Sequence, residues 1–321
     1  MDPALVDINV TFDGQDRGAG TGIVLTSSGE VLTNNHVVEG ATAISVTDVG
    51  NGKTYGATVV GYDVVDDVAV IQLTNASGLQ AAKIGNSSTV AVGDGVVAVG
   101  NAGGTGGAPT AAGGSITALD QTITASDAVS GTSENLIGLI ETNASIQPGD
   151  SGGSLVNSSG QVIGMDTAAA QGYSLSSQTD QGYVIPINEA LSIASQIESG
   201  RASSTVHVGP TAYLGVLVFS SGSSTLPYSG GYYDPYSAQN GGPTTSGAFV
   251  SGVVSGSPAD QAGLIEGDVI TSLGRQSVTS GSDLTTLIQD HQSGDSVQVG
   301  WTDASGEAHT AAVTLGSGPA Q

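Results

Sequence analysis

From Leu5 to about Ile187 the apolar positions come in short runs broken by turn residues. Gly22–Leu25, Glu30–Thr33, Ala43–Thr47 and Thr58–Tyr62 are brief and β-branched, as strands on a packed sheet require. Ser28-Gly29 and Asn51-Gly52 mark turns between them. A second series, including Val96–Val99, Gly160–Gly164 and Gly182–Pro186, repeats the pattern. Strands at such even spacing predict barrels or sandwiches.

The first helical pattern comes late, at Asn188–Ser199, where Leu191, Ala194 and Ile197 share a face. Asn188 is expected to cap it and Gly200 to stop it. The first domain is therefore placed at 1–200. Polar Arg201–Pro210 reads as a linker. A second domain is placed at 211–316, with a Gly/Ser/Tyr-rich inserted loop at 220–247. Beyond that loop the pattern predicts strand Ala248–Val254, turn Gly256–Pro258 and strand Asp268–Leu273. A helix near Asp283–Asp290 and strand Ser296–Trp301 complete it.

Composition narrows the function classes. Five Lys+Arg against 29 Asp+Glu give a net charge of −24. Nucleic acids and anionic membrane surfaces need clustered cations, so neither is an expected partner. There is no cysteine, which removes disulfides and thiol chemistry. No run of about 18 apolar residues is present to span a membrane. Met1-Asp2-Pro3 enters the alternating stretch almost at once, which reads as a chain start after a removed leader.

Gly149-Asp-Ser-Gly-Gly153 carries the strongest chemical signal. A serine nucleophile needs a sharp turn that exposes its hydroxyl, with amides aimed at the developing oxyanion. Glycines at 149, 152 and 153 permit such a turn around Ser151 and let a carbonyl approach the Gly149 and Ser151 amides. Of four histidines, His36 stands at the end of an apolar strand, where a general base can be held rigidly. Asp67 leads into the apolar run Val68–Ile71, and a buried carboxylate there calls for a donor such as an imidazole N–H. Asp66 competes for that role, but Asp67 borders the apolar run and is preferred.

The order His–Asp–Ser is that of the chymotrypsin class. The blocks TNNHVV, DVAVIQL, GDSGGSLVN and GYVIPIN resemble the HtrA/DegP family along nearly the whole chain, most of all its exported actinobacterial PepA-type members. The resemblance implies a mainly β chain: a chymotrypsin-like double β-barrel protease domain, then a PDZ domain, a small β-barrel with two helices. It implies His36 as base, Asp67 as its orienting acid and Ser151 as nucleophile, with an oxyanion hole from Gly149 and Ser151 and Asp150 as a further contributor. The implied enzyme is an ATP-independent serine endopeptidase acting on unfolded polypeptides outside the cytoplasm, with no cofactor or metal. The alternative is a peptide-binding chaperone or scaffold with a latent protease domain. Homotrimer and monomer both stay open.

Three features depart from the family pattern. Asp150 stands where most relatives carry Asn, and no Ile-Val-Gly-Gly-like N-terminus is present to pair with it. The connection Asp13–Gly18 is short, and the segment Ser220–Gly247 is long.

The floor of the primary pocket in this class lies six residues before the nucleophile, here Ser145. With Ile146 beside it, Ser145 predicts cleavage after small or medium apolar residues and not after Lys or Arg. Asp166 is the carboxylate that would change this if it turned inward. Thr167, Ala168 and Ala169 are expected to pair with the extended substrate. In the second domain Tyr213, Leu214, Gly215 and Val216 resemble a PDZ carboxylate-binding loop, while Ser257–Leu264 and Gly267–Ile270 are typical of HtrA-linked PDZ domains. Leu284, Leu287 and Ile288 are expected to line its peptide groove or to fill the core.

Overall fold

The computed structural model describes residues 4–12, 17–126, 133–167, 181–218 and 246–318. They fall into two compact units divided in sequence between Gly209 and Pro210.

The first unit opens with β1 (Leu5–Thr11), β2 (Arg17–Val24), β3 (Glu30–Thr33), one-turn helix α1 (Asn35–Val38), β4 (Ala43–Asp48), β5 (Thr54–Asp63) and β6 (Val68–Leu73). These strands pair antiparallel in the order β5-β4-β1-β2-β3-β6, and β6 returns to β5 to close a barrel. β7 (Gly95–Gly100), β8 (Thr110–Ser126), β9 (Ser133–Thr142), β10 (Ser154–Asn157), β11 (Val162–Thr167) and β12 (Gly182–Pro186) form a second closed barrel, ordered β10-β11-β12-β9-β8-β7. Closure pairs each barrel strand with a barrel neighbour on both sides.

Alternate side chains fill each barrel: Val6, Ile8, Val31, Val46 and Ile71 in the first, and Val96, Ala98, Ile116, Leu155 and Val184 in the second. The opposite faces are not solvated. Leu5, Ile23, Leu32, Val68 and Val70 join Val156, Val162, Met165 and Ile185 in a third core under helix α2 (Ile187–Glu198). Burial on both faces explains why Val68–Leu73 reads as a continuous apolar run instead of an alternation. Helix α2 contributes Ile187, Ala190, Ile193, Ala194 and Ile197, and each fully buried Ile is worth about 1.5–3 kcal/mol of transfer free energy.

Four local expectations are corrected. Helix α2 begins at Ile187 after Pro186, and Asn188 does not cap it. Its side chain instead donates to Asn86 Oδ1 at 2.7 Å and accepts from the Ser87 amide at 3.3 Å. The expected linker contains strand β13 (Val206–Val208), which pairs with β5 and adds to the first barrel's sheet. Gly256 lies in the expected turn, but Pro258 already begins a short helix, α3 (Pro258–Ala262), whose cap Ser257 accepts from the Asp260 amide. Gly160 lies in a turn with φ +68°, and the strand there is shifted to Val162–Thr167.

The second unit runs β14 (Thr211–Tyr213), β15 (Val216–Val218), β16 (Ala248–Val253), α3, β17 (Val269–Leu273), β18 (Gln276–Ser277), α4 (Gly281–Gln289), β19 (Ser296–Thr302), β20 (Ala308–Thr314) and β21 (Gly316–Gly318). Its main sheet is ordered β15-β16-β17-β19-β20, with β18 on β17, and β14 pairs separately with β21. Ser280 caps α4 through the Asp283 amide, and Leu284 and Ile288 carry that helix onto a core of Ala248, Val250, Ile270, Val299 and Trp301. The loop expected at 220–247 lies outside the described residues except for its last two positions.

Candidate active site

His36 sits three residues beyond the strand end at Thr33, in α1. Asn34 occupies the cap position of that turn but makes no capping bond; its side-chain amide donates to the Asp67 carbonyl at 3.0 Å. Asp67 is 1% exposed and has φ +52°, a left-handed conformation that costs a non-glycine residue about 1 kcal/mol or more and that its surroundings must hold. The conformation turns its carboxylate onto His36. His36 N–H donates to Asp67 Oδ1 at 3.0 Å, and His36 Nδ1 lies 3.0 and 2.9 Å from Oδ1 and Oδ2. A carboxylate only accepts, so it sets the tautomer with the proton on Nδ1 and directs the Nε2 lone pair away from Asp67. Asp66 faces elsewhere, half-buried toward Asp63 and Glu189; burial, then Asp63, raises its carboxyl above the ordinary range, and Asp66 acts likewise on Glu189.

The turn carrying Ser151 belongs to the second barrel and is fastened to the first. Thr21 Oγ1 donates to the Gly149 carbonyl at 2.8 Å, and the Thr21 amide donates to the Ser151 carbonyl at 2.8 Å. Thr33 Oγ1 donates to the Thr21 carbonyl at 2.7 Å. A Cβ at Gly152 (φ +82°) would lie 2.1 Å from the Thr21 carbonyl oxygen and 2.3 Å from Thr33 Oγ1, so only glycine fits. The turns of His36 and Ser151 also flank one point. A Cβ at Gly20 would meet Val37 Cγ1 at 2.7 Å and the Ser151 backbone carbonyl oxygen at 3.2 Å.

The Gly103 amide donates to the Pro148 carbonyl at 2.7 Å. The intervening peptide is trans, so the Gly149 N–H points away from Gly103. Asp150 closes the turn: its amide donates to the Gln147 carbonyl, and its Oδ2 accepts from the Gln147 amide, both at 2.9 Å. From β11, the Asp166 carbonyl accepts from the Gly152 amide and the Asp166 amide donates to the Gly153 carbonyl, both at 2.9 Å. Adjacent Thr167 directs its hydroxyl to Asp67 Oδ2 at 3.4 Å. One strand end thus touches both the serine turn and the carboxylate behind the histidine.

Asp166 is wholly buried opposite Val184, with neither carboxyl oxygen hydrogen-bonded, and burial followed by the nearby Asp150 pushes it well above the ordinary carboxylate range. Burial also raises Asp150, opposed by its bond from Gln147. Ser145 is exposed, and Ile146 packs into the second barrel, where a Cβ at Gly182 would lie 2.7 Å from its Cδ1. Ala168 and Ala169 lie outside the described residues.

A trypsin-like peptidase domain model matches residues 20–165, and a PDZ domain model matches 249–299. The serine protease Do-like HtrA of Lactococcus lactis subsp. lactis is 33% identical over 303 residues, covering 92% of this chain and 70% of that protein. The chain belongs to the HtrA family. Putative serine protease HhoA of Synechocystis sp. is also 33% identical, over 274 residues; the match covers 85% of this chain and 64% of that relative, a little under two thirds of its length. A solved structure, HtrA-type protease AlgW with tripeptide, superposes with a TM-score of 0.51 at 27% identity, over 98% of this chain and 94% of that one. These matches carry the HtrA family and do not single out its PepA-type members.

In the PDZ unit of this HtrA chain, Gly215 (φ +86°) turns the loop between β14 and β15; a Cβ there would lie 2.2 Å from that of Ser257. The Leu214 carbonyl accepts from the Ala259 amide at 2.8 Å, and the Gly215 carbonyl accepts from the Val254 amide at 3.0 Å and Ser257 Oγ at 3.3 Å. With these carbonyls drawn toward α3 and β16, the trans peptides send the Gly215 and Val216 N–H groups the other way. β15 is also the end strand of its sheet among the described residues. Leu214 is core, and of the three expected groove residues Leu284 and Ile288 are buried in the core while Leu287 is half-buried.

Among the described residues the metal-capable group is Asp303, Glu307 and His309, on the exposed β19–β20 hairpin. Its Asp303 is already taken up by Ser305, the Glu307 amide and His309. The sequence reading missed Thr21, Thr33 and Asn34. Each acts through side-chain bonds to residues twelve or more positions away, and no local motif marks them.

Proposed function

We infer that the chain is an ATP-independent serine endopeptidase that works through an acyl-enzyme. The carrying observation is His36 Nδ1 bound to both oxygens of buried Asp67, with the Ser151 turn fastened to the same carboxylate through Asp166 and Thr167. His36 Nε2 takes the Ser151 proton as Oγ attacks the scissile carbonyl. Asp67 holds the imidazole and stabilises its cation, and the proton then passes to the leaving amine. The amides of Gly149 and Ser151 receive the oxyanion. The Gly103–Pro148 bond supports this role by facing the Gly149 N–H outward.

Substrates are extended or unfolded polypeptides, cut after small or medium apolar residues. Exposed Ser145 offers no charge for a Lys or Arg, and Asp166 is enclosed and held toward its neutral form. The PDZ unit captures peptide C-termini, with the carboxylate at the outward amides of Gly215 and Val216 and the peptide added beside β15. Leu287 is the α4 side chain left to meet its last residue. The setting is extracytoplasmic, as the family resemblance implies. Labelling of wild type and Ser151→Ala with a fluorophosphonate tests the mechanism: only the wild type should become labelled.

A further inference from the structure

Asp150 and Asp166 are two buried carboxyls directly beneath the proposed nucleophile, and the mechanism above uses neither. Asp166 Oδ1, Asp166 Oδ2 and Asp150 Oδ1 have no hydrogen-bond partner among the described residues. The chain's Lys and Arg are at positions 17, 53, 83, 201 and 275, and none is bonded to either acid. Two ionised carboxylates buried this deeply would repel each other, and a buried acid without a counter-charge lowers its free energy by keeping its proton.

We propose that Asp166 is a positioning residue that holds the Ser151 turn in its productive geometry only while its carboxyl is protonated, with Asp150 setting the pH at which the proton leaves. This rests on Ser151 being the nucleophile. The coupling runs through the backbone. Asp166 grips Gly152 and Gly153 on either side of its own residue, both at 2.9 Å. An ionised Asp166 must gain water or swing from its enclosure, and either movement pulls on those bonds. The turn has no slack to absorb it, because Gly152 is pressed on the Thr21 carbonyl and Thr33 hydroxyl.

The groups around Asp166 leave Asp150 as the charge that governs it. From β12 it meets Val184 in register; Tyr183 lies on the other face, near Glu141, which Thr117 engages. From β10 it meets Gly153 and Ser154, and a Cβ at Gly100, the end of β7, would touch Asp150. Helix α2 covers the opposite face of β11, packing on Met165, with Glu189 toward Asp66 and Glu198 toward Glu30. Asp67 is reached only through Thr167 and is engaged by His36.

The sign follows. A carboxyl raised in the fold stabilises it fully below its unfolded value and loses that contribution as pH rises through the folded value. The test measures kcat/KM on unfolded casein and thermal midpoints from pH 6 to 10, for the full chain and for Asp166→Asn and Asp150→Asn. Wild-type hydrolysis should fall about tenfold per pH unit beyond its alkaline midpoint. Asp166→Asn should lose that limb and resist alkaline melting better than wild type. Asp150→Asn keeps the acid but removes its repulsive neighbour, so its limb should move to lower pH. An unchanged alkaline limb in Asp166→Asn, or no shift in Asp150→Asn, overturns the proposal; if Asp166→Asn does not fold, the Asp150→Asn shift decides. If the wild type cleaves nothing, the nucleophile reading fails, and the thermal midpoints still report on Asp166.

Discussion

Thr21 Oγ1 donates to the Gly149 carbonyl at 2.8 Å while accepting from the Asn101 amide at 2.9 Å, so one hydroxyl of the first barrel anchors the serine turn of the second. Thr21→Val keeps the shape and removes the anchor. It leaves a buried carbonyl and amide unpaired, at a cost of about 1–3 kcal/mol. Casein hydrolysis should lose kcat with little change in KM, and urea unfolding should show the stability loss.

Gly152→Ala should be more severe. Its Cβ cannot avoid the Thr21 carbonyl, and the backbone there is left-handed. Overpacking typically costs about 1–3 kcal/mol, and here the displaced atoms hold Ser151. Fluorophosphonate labelling should vanish while circular dichroism still reports a β fold.

Acidification should suppress hydrolysis, because a protonated His36 cannot accept the Ser151 proton. The His36 and Asp166 arguments together predict a bell-shaped kcat/KM profile, with the acidic limb surviving in Asp166→Asn. A profile flat from pH 5 to 8, with folding verified at each point, would count against a histidine base.

In the PDZ unit, Leu284→Ala should destabilise that domain by about 2–5 kcal/mol, since Leu284 is 1% exposed in its core. Leu287→Ala should cost less stability and instead weaken peptide binding. Calorimetric titration with a peptide and its C-terminal amide checks the carboxylate contact; equal affinity would contradict it.

The architecture was legible because its signals are local. Short β-branched runs marked the strands, and the Gly149–Gly153 block marked a serine turn. The family resemblance supplied the pairing of domains. What escaped depends on partners distant in sequence. Val206–Val208 reads as linker because only β5 makes it a strand. Asn188 has a cap's chemistry, yet Asn86 and Ser87 outcompete the helix end for it. Asp166 lies in an ordinary strand pattern, and its enclosure emerges only when the second barrel closes around it.

The central claim is that Ser151 is the covalent nucleophile of a peptide-bond hydrolase. The most direct measurement is intact mass after reaction with a fluorophosphonate, with peptide mapping of the modified site and parallel casein turnover. The account predicts one adduct on Ser151 that appears as turnover disappears, and neither adduct nor turnover in a folded Ser151→Ala variant. Wild-type turnover by that variant, or an adduct on another serine, would contradict it.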